Sequence, residues 1–151
     1  MKPFNNLKVN IGCGRDYREG WFNVDISREA RADFYADIGK DTLPVNDASH
    51  VYISGVLEQI RDSNNFVHAL NECWRILREE GTLLAHVPNV FHKNAFKDPF
   101  DVRYFSEETW NYVLGDRREY ALYGSVYGFR PWKLLDITTN ANGIICINLK
   151  K

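Results

Sequence analysis

Three short segments combine glycines and acidic residues of the kind that hold nucleosides. Gly12-Cys13-Gly14 follows a short apolar run, and Asp25 and Asp37 each end another apolar run further along the chain. Glycines permit a tight turn and let backbone amides approach a ligand closely. A carboxylate such as Asp25 can accept hydrogen bonds from both hydroxyl groups of a ribose, and Asp37 can accept one from an adenine amino group, with the Ile38 amide beside it.

Each of these signals has an ordinary alternative when it is taken alone. A Gly-x-Gly sequence is about as often a plain turn as a binding loop, and an aspartate after a strand is usually a turn or cap residue. The three together, in this order, are more specific, because ligands of open α/β sheets bind beyond the carboxyl ends of the strands. The combination predicts a cleft that binds a nucleoside.

The same segments argue against a dinucleotide ligand. A dinucleotide-binding turn has a third glycine and opens a helix whose N-terminus receives the pyrophosphate. Here the third glycine is missing, and residues 15–20 alone separate Gly14 from the next apolar run. That segment is too short for a crossover helix, so a nicotinamide-dependent reductase is disfavoured and a nucleoside without phosphate fits better.

The hydrophobic pattern predicts the elements that position these residues. A helix over 63–80 is indicated by apolar residues on one face, with Asp62 or Ser63 as its cap and Gly81 at its end. A second helix is predicted to start at Ser106, with Phe105 and Trp110 as a hydrophobic staple. The predicted strands are 7–11, 21–26, 33–38, 50–56, 82–87, 132–138 and 144–149, the last two as an antiparallel hairpin. This order indicates an α/β sheet that is mostly parallel, with one antiparallel strand.

Length and charge narrow the class of protein further. The 151 residues suit a single domain over 1–151. The 19 basic and 20 acidic residues give a net charge of −1, which provides no nucleic-acid footprint.

Three widely spaced cysteines without a CxxC pair argue against a disulfide framework or a zinc site. The sequence has no signal peptide and no apolar run long enough to span a membrane, so we expect a soluble, cytoplasmic protein without a membrane partner.

Longer runs of the sequence resemble a known family. VNIGCGRDYREGWFNVDI looks like the first motif and acidic second strand of the class I, Rossmann-like S-adenosylmethionine-dependent methyltransferases, and more narrowly of their small "type 11" branch. ADIGKDTLPVNDASHVYISGVLEQI, RILREEGTLLAHVPN and KDPFDVRYFSEETWNYV are similar to later segments of that branch. The resemblance covers roughly residues 7–149. It implies a single-domain, three-layer fold with a seven-stranded sheet, a C-terminal antiparallel hairpin and reduced N-terminal helices.

The resemblance also implies how S-adenosylmethionine would bind. The turn Gly12-Cys13-Gly14 would pass under the methionine moiety, and Asp25, with Ile26 beside it, would hold the ribose. Asp37 with Ile38 would hold the adenine. Ser54, at the end of the fourth strand, would face the methionine or the reacting methyl.

Three departures from the family pattern affect the chemistry rather than the cofactor. Gln59 and Asp101 stand where relatives have histidine, and Glu79-Glu80-Gly81 replaces a Pro-Gly-Gly approach. A step that uses a histidine at either of those two positions is therefore not expected, and a base, where the acceptor needs one, would come from Asp101, His92 or Tyr104. The implied reaction is in-line methyl transfer to a small-molecule or sugar-type acceptor. The alternative is a binding or interaction module that keeps the fold without catalysis.

Residues 90–132 are unusually aromatic. They hold 12 of the 21 aromatic residues of the chain. One interpretation is a satellite core packed over the sheet, because aromatic side chains dominate burial. The other is an aromatic-walled lid over the reacting methyl, since loops near strand ends often carry function. An open site could instead be covered by a second copy of the chain in a homodimer.

Overall fold

The computed structural model describes residues 6–151 and contains one seven-stranded sheet. In chain order the strands are β1 (Lys8–Ile11), β2 (Phe22–Asp25), β3 (Phe34–Tyr35), β4 (Ala48–Ser54), β5 (Leu77–Pro88), β6 (Lys133–Thr139) and β7 (Ile144–Lys150). Their spatial order is β3-β2-β1-β4-β5-β7-β6, and all neighbours are parallel except those of β7. The predicted mostly parallel sheet with one antiparallel strand is therefore confirmed.

The connection between β1 and β2 is a loop, as its length predicts, and a buried polar network holds it. Asn23 is fully buried, and its side-chain amide donates to the carbonyls of Arg18 and Trp21 and to Asp33 Oδ2. Asn23 Oδ1 accepts the Arg18 N–H at 2.9 Å and the Asn10 amide at 3.1 Å. These bonds satisfy backbone groups that a crossover helix would otherwise pair. Side chains of the sheet thus fix this loop.

The longest helix of the described residues is α1 (Ser63–Ile76). Asp62 caps it by accepting the Asn65 N–H at 3.0 Å, as the sequence indicates. The prediction that the helix continues to residue 80 is wrong. Leu77 is already extended, buried and paired with Ala48 of β4, so the chain enters β5 five residues earlier than expected.

The helical elements between β5 and β6 are short, and the last two of them are continuous. They are the 3-10 turns Lys93–Phe96 and Glu107–Tyr112, the π turn Tyr120–Gly124 and the short α2 (Ser125–Tyr127). The second helix does begin after Ser106, whose N–H donates to Thr109 Oγ1 at 3.0 Å, but it is a six-residue 3-10 helix. The predicted staple is present, because the buried rings of Phe105 and Trp110 stack with centroids 5.7 Å apart.

The two faces of the sheet are covered differently. One face packs against α1 and forms a single apolar cluster with it. On this face four neighbouring strands contribute residues that pair side by side: Val9, Val51, Leu83 and Leu149. The opposite face carries the half-buried side chains of His50, Tyr52 and His86. The Arg18 guanidinium lies 3.9 Å from the centre of the Tyr52 ring, and the Trp21 ring lies against His50. Side chains of the β1–β2 loop therefore take the place of a helix there.

No helix within residues 6–151 combines the length and apolar character that a membrane crossing requires.

Candidate functional site

A cleft of about 920 Å³ opens at the carboxyl ends of the first strands. Six of the predicted cofactor residues line it together: Gly12, Gly14, Asp25, Ile26, Asp37 and Ile38. The opposite wall comes from the connection between β4 and α1, which includes Gly55, Val56 and Gln59. The strand ends therefore converge as the order of the apolar runs predicts.

Asp25 is buried at the end of β2 and is bonded on both carboxylate oxygens. Oδ2 accepts the Gly14 N–H at 2.7 Å, and Oδ1 accepts the Ser27 N–H at 2.8 Å. Each carboxylate oxygen has two acceptor positions, so both retain one for a ligand hydroxyl. Asp25 can thus bind a diol while it also fixes the glycine turn, which is the turn role that the sequence analysis gives as the ordinary alternative.

Asp37 lies at the other side of the cleft, in the turn after β3. Its Oδ1 accepts the Gly39 N–H at 2.9 Å, and Oδ2 is 3.6 Å from Lys40 Nζ. The following residue, Ile38, is buried and contributes an apolar wall. A carboxylate beside an apolar wall suits a planar base with an exocyclic amino group.

The glycine turn forms the floor of the cleft and approaches the opposite wall closely. Gly12 has φ +69°, and a Cβ atom added there would lie 2.1 Å from Val56 Cγ2. The N–H groups of Gly12 and Cys13 both donate to Val24 O, and that of Gly14 donates to Asp25. These amides are already bonded within the chain, so the turn does not offer the free N–H cradle that a phosphate needs.

Two predicted cofactor residues lie outside the cleft. Cys13 is buried, and its thiol faces the carbonyl of Arg31 at 3.4 Å. Burial, followed by the charge of Asp25, raises the pKa of the Cys13 thiol above its usual value. Ser54 ends β4 beside His86 but is not among the residues that line the cleft.

The three candidate bases do not line the cleft either, and they are not together. His92 accepts the Asn94 N–H through Nδ1 at 3.2 Å and packs against the turn at Gly143. Tyr104 is 48% exposed, with its ring 5.2 Å from that of Phe96. Asp101 is the nearest to the cleft, because the N–H groups of the next two residues, Val102 and Arg103, donate to Glu58 O, beside the lining residue Gln59.

Sequence reasoning missed Glu58, which lies beside Asp101. Glu58 is only 6% exposed, although it is acidic, and its Oε2 has no hydrogen-bond partner within residues 6–151. Burial raises the pKa of the Glu58 carboxyl to about 7; its own backbone N–H opposes this shift, and Asp101 and Asp98 add to it. The only sequence signal for this site is an acid flanked by the apolar residues Leu57 and Ile60.

The aromatic segment divides into a buried and an exposed part. Its core side chains are Phe105, Trp110, Phe129 and Trp132. Phe91, Phe96, Phe100 and Tyr104 are exposed, at 87%, 63%, 76% and 48%. The segment contributes nothing to the lining of the cleft as described, but it forms most of a second cavity of about 520 Å³, which shares Ser63 and Asn64 with the cleft. The buried rings fit the interpretation of a satellite core, and the lid over the reacting methyl stays a prediction.

Comparisons with known proteins agree with this architecture. The sequence matches no protein-family model and no curated protein. Among solved structures, an S-adenosylmethionine-dependent methyltransferase from Archaeoglobus fulgidus aligns with a TM-score of 0.66 at 18% identity, over 97% of this chain and 86% of that one. The N-methyltransferase NodS from Bradyrhizobium japonicum, solved with S-adenosylhomocysteine, gives 0.63 at 10% identity, over 97% and 78% of the two chains.

A third solved structure, from Thermotoga maritima, is an S-adenosylmethionine-dependent methyltransferase described as a candidate histamine N-methyltransferase. It aligns with a TM-score of 0.62 at 18% identity, over 96% of this chain and 82% of that one. The chain thus has the class I, Rossmann-like fold of the S-adenosylmethionine-dependent methyltransferases, which confirms the fold that the sequence resemblance implies. The narrower "type 11" assignment stays a prediction.

Proposed function

We propose that this protein is an S-adenosylmethionine-dependent methyltransferase that acts on a small-molecule or sugar-type acceptor. The observation that carries the proposal is the shared cleft of Asp25 and Asp37, beside a glycine turn whose amides are bonded within the chain. Two carboxylates with spare acceptor positions suit a nucleoside, and the bonded amides disfavour a phosphate.

The residues of the cleft fit this cofactor in size and chemistry. A volume of about 920 Å³ is in the range of small-molecule sites. Asp25 would bind the ribose hydroxyls, Asp37 the adenine amino group, and Ile26 and Ile38 the faces of the base. The methionine moiety would lie over Gly12, where the close approach of Val56 leaves no room for a side chain.

Bound S-adenosylmethionine supplies an electrophilic methyl group, so the protein needs no strong nucleophile of its own. Its tasks are to orient the acceptor in line with the methyl and to exclude water. The wall on the Gly12 side of the cleft consists of Gly55, Val56 and Gln59, and this is where the acceptor would approach. Asp101 is the candidate base nearest to this wall, because the loop that carries it is bonded to Glu58 O.

Calorimetric titration with S-adenosylhomocysteine and, separately, with NADH tests the proposal. We expect S-adenosylhomocysteine to bind and NADH to give no heat of binding, because the turn lacks free amides for a pyrophosphate. Binding of NADH alone, or of neither compound, would refute the proposed cofactor.

Transfer of a labelled methyl group separates an enzyme from an interaction module with the same fold. We expect label from S-adenosylmethionine to appear in at least one member of a panel of amines, sugars and phenols. Binding of S-adenosylhomocysteine without transfer to any member would favour the module.

A further inference from the structure

The walls of the second cavity are mainly aromatic. Its volume of about 520 Å³ is in the range of small-molecule sites. The aromatic lining residues are Phe66, Phe105, Trp110, Tyr112, Tyr127 and Phe129. The ring of Phe66 packs against those of Phe105 and Phe129, with centroids 5.8 Å apart in both pairs, and all three side chains are buried. These walls are therefore fixed by the core, and they can contact a flat apolar molecule.

Arg103 is the one charged residue among the described residues that line this cavity. Its Nε donates to Ile60 O at 3.0 Å and its Nη2 to Arg61 O at 3.2 Å, and the guanidinium lies 4.4 Å from the centre of the Phe66 ring. The third nitrogen, Nη1, makes no hydrogen bond within residues 6–151, and the guanidinium forms no ion pair there. A guanidinium that is held in place and lacks an acidic partner suits a carboxylate ligand.

The first turn of α1 adds positive potential to the same cavity. Ser63 and Asn64, the first two residues of this helix, both line the cavity. Their N–H groups have no acceptor in the part of the chain that the structure describes, whereas the Asn65 N–H is bonded to Asp62. The N-terminus of a helix favours an anion. Asp62 lines the cleft but not the second cavity, so no acid of the described residues occupies this place.

The wall that the two cavities share lies away from the Gly12 side of the cleft. Asn65, which follows the shared residues Ser63 and Asn64, has its Cβ 3.1 Å from the position that a Cβ atom would occupy at Gly39. Gly39 is bonded to Asp37, so this is the side proposed for the adenine. Because methyl transfer would take place at the Gly12 side, the occupant of the second cavity is a different molecule from the acceptor.

We infer that the second cavity is a binding site for an aromatic carboxylate. The carboxylate would accept hydrogen bonds from Arg103 Nη1 and from the first turn of α1, and the aromatic ring would lie between Phe66, Phe105 and Phe129. This binding does not depend on the proposed function, because none of these three rings lines the cleft.

The test compares 2-naphthoate with 2-naphthamide, a neutral molecule of the same shape, by NMR titration of the labelled protein. Wild type is expected to bind 2-naphthoate at least about tenfold more tightly than 2-naphthamide. The indole N–H resonance of Trp110 should shift with both probes, because this side chain lines the cavity. Saturating S-adenosylhomocysteine should not displace 2-naphthoate.

Two variants test the charge and the cavity separately. Arg103→Gln should reduce the affinity for 2-naphthoate to that for 2-naphthamide. Val67→Phe places a larger side chain in the lining without changing Arg103, and it should weaken the binding of both probes. The matched control is Arg130→Gln, because Arg130 is exposed, lies over the Trp74 ring and lines neither cavity. This control should keep the preference for 2-naphthoate.

Four results would overturn the inference. They are equal affinity of wild type for the two probes, binding of neither probe, an equal loss of preference in Arg130→Gln and Arg103→Gln, and displacement of 2-naphthoate by S-adenosylhomocysteine without a shift at Trp110. The last result would place the probe in the cleft. Selective binding of 2-naphthoate at Trp110 by a protein that does not bind S-adenosylhomocysteine would support this inference and refute the proposed function.

Discussion

Replacement of Asp25 by Asn separates its role in the fold from its role toward a ribose. Asn keeps the shape but turns one acceptor oxygen into a donor, so either the Gly14 or the Ser27 N–H loses its partner. A hydrogen bond to a charged acceptor is worth roughly 1.5–3 kcal/mol, and we expect Asp25→Asn to lower the free energy of unfolding by about that amount. For a chain of this length, the melting temperature should fall by roughly 4–10 °C.

The effect of Asp25→Asn on ligand affinity should exceed what this destabilisation explains. The ribose loses one of its two acceptors, so we expect S-adenosylhomocysteine to bind at least about tenfold more weakly, or ~1.4 kcal/mol. Competition measurements by NMR with adenosine and with adenine show whether the lost affinity belongs to the ribose or to the base. The affinity for adenosine should fall, and the affinity for adenine, which has no ribose, should stay the same.

Asp33→Asn is the matched control for this prediction. Asp33 also accepts a backbone N–H, that of Asn23 at 2.8 Å, but it does not line the cleft. The variant should lose stability to a similar extent and keep its affinity for S-adenosylhomocysteine. If Asp25→Asn bound S-adenosylhomocysteine like wild type, the ribose would be held elsewhere and our interpretation of the cleft would be refuted.

Further predictions concern the glycine turn, the buried glutamate and the hairpin turn. Gly12→Ala should abolish S-adenosylhomocysteine binding in calorimetry, because its Cβ would overlap Val56 at a φ of +69°; retained binding would show that the two walls can separate. Glu58→Gln should be more stable than wild type in urea denaturation above pH 7 by up to about 3 kcal/mol. The folded-state pKa of Glu58 is raised from 4.5 to about 7, so wild type loses stability as pH rises through that interval, and no such loss occurs in the variant. A constant difference between the two proteins across this range would contradict the buried, unpaired carboxyl. Gly143→Ala should speed hydrogen exchange at residues 89–94, since its Cβ would lie 2.1 Å from His92 Cγ; unchanged exchange there would show that the loop is held independently.

The convergence of the binding residues could be predicted because it depends on local signals and one topological rule. Apolar runs that end in glycine or aspartate mark the strands, and parallel strands place their carboxyl ends at one edge of the sheet. The end of α1 could not be predicted in this way. The sequence around Leu77 continues the apolar spacing and favours helix, but pairing with Ala48 converts it to strand. Non-local pairing of this kind outweighs local propensity.

In the candidate site, the burial of Glu58 could not be predicted from the sequence. An acid is ordinarily exposed, and nothing in its immediate sequence indicates that the loop carrying Asp101 folds over it. Its burial depends on the backbone bonds from Val102 and Arg103, more than 40 residues further along the chain. Cys13 illustrates the reverse case, because a residue within the predicted binding turn points away from the cleft toward Arg31.

The bonds between the hairpin turn and the loop after β5 have a consequence for the order in which the site is completed during synthesis. Asn89 donates its N–H to Gly143 O and its side-chain amide to Thr139, and the Asn94 side chain donates to Asn142 O. The whole lining of the cleft lies within residues 11–65, whereas the loop after β5 is anchored to residues made about 50 positions later. A nascent chain can therefore make every residue of the cleft before the loop after β5 is anchored. Substitutions in the hairpin should accordingly release that loop and leave nucleoside binding intact.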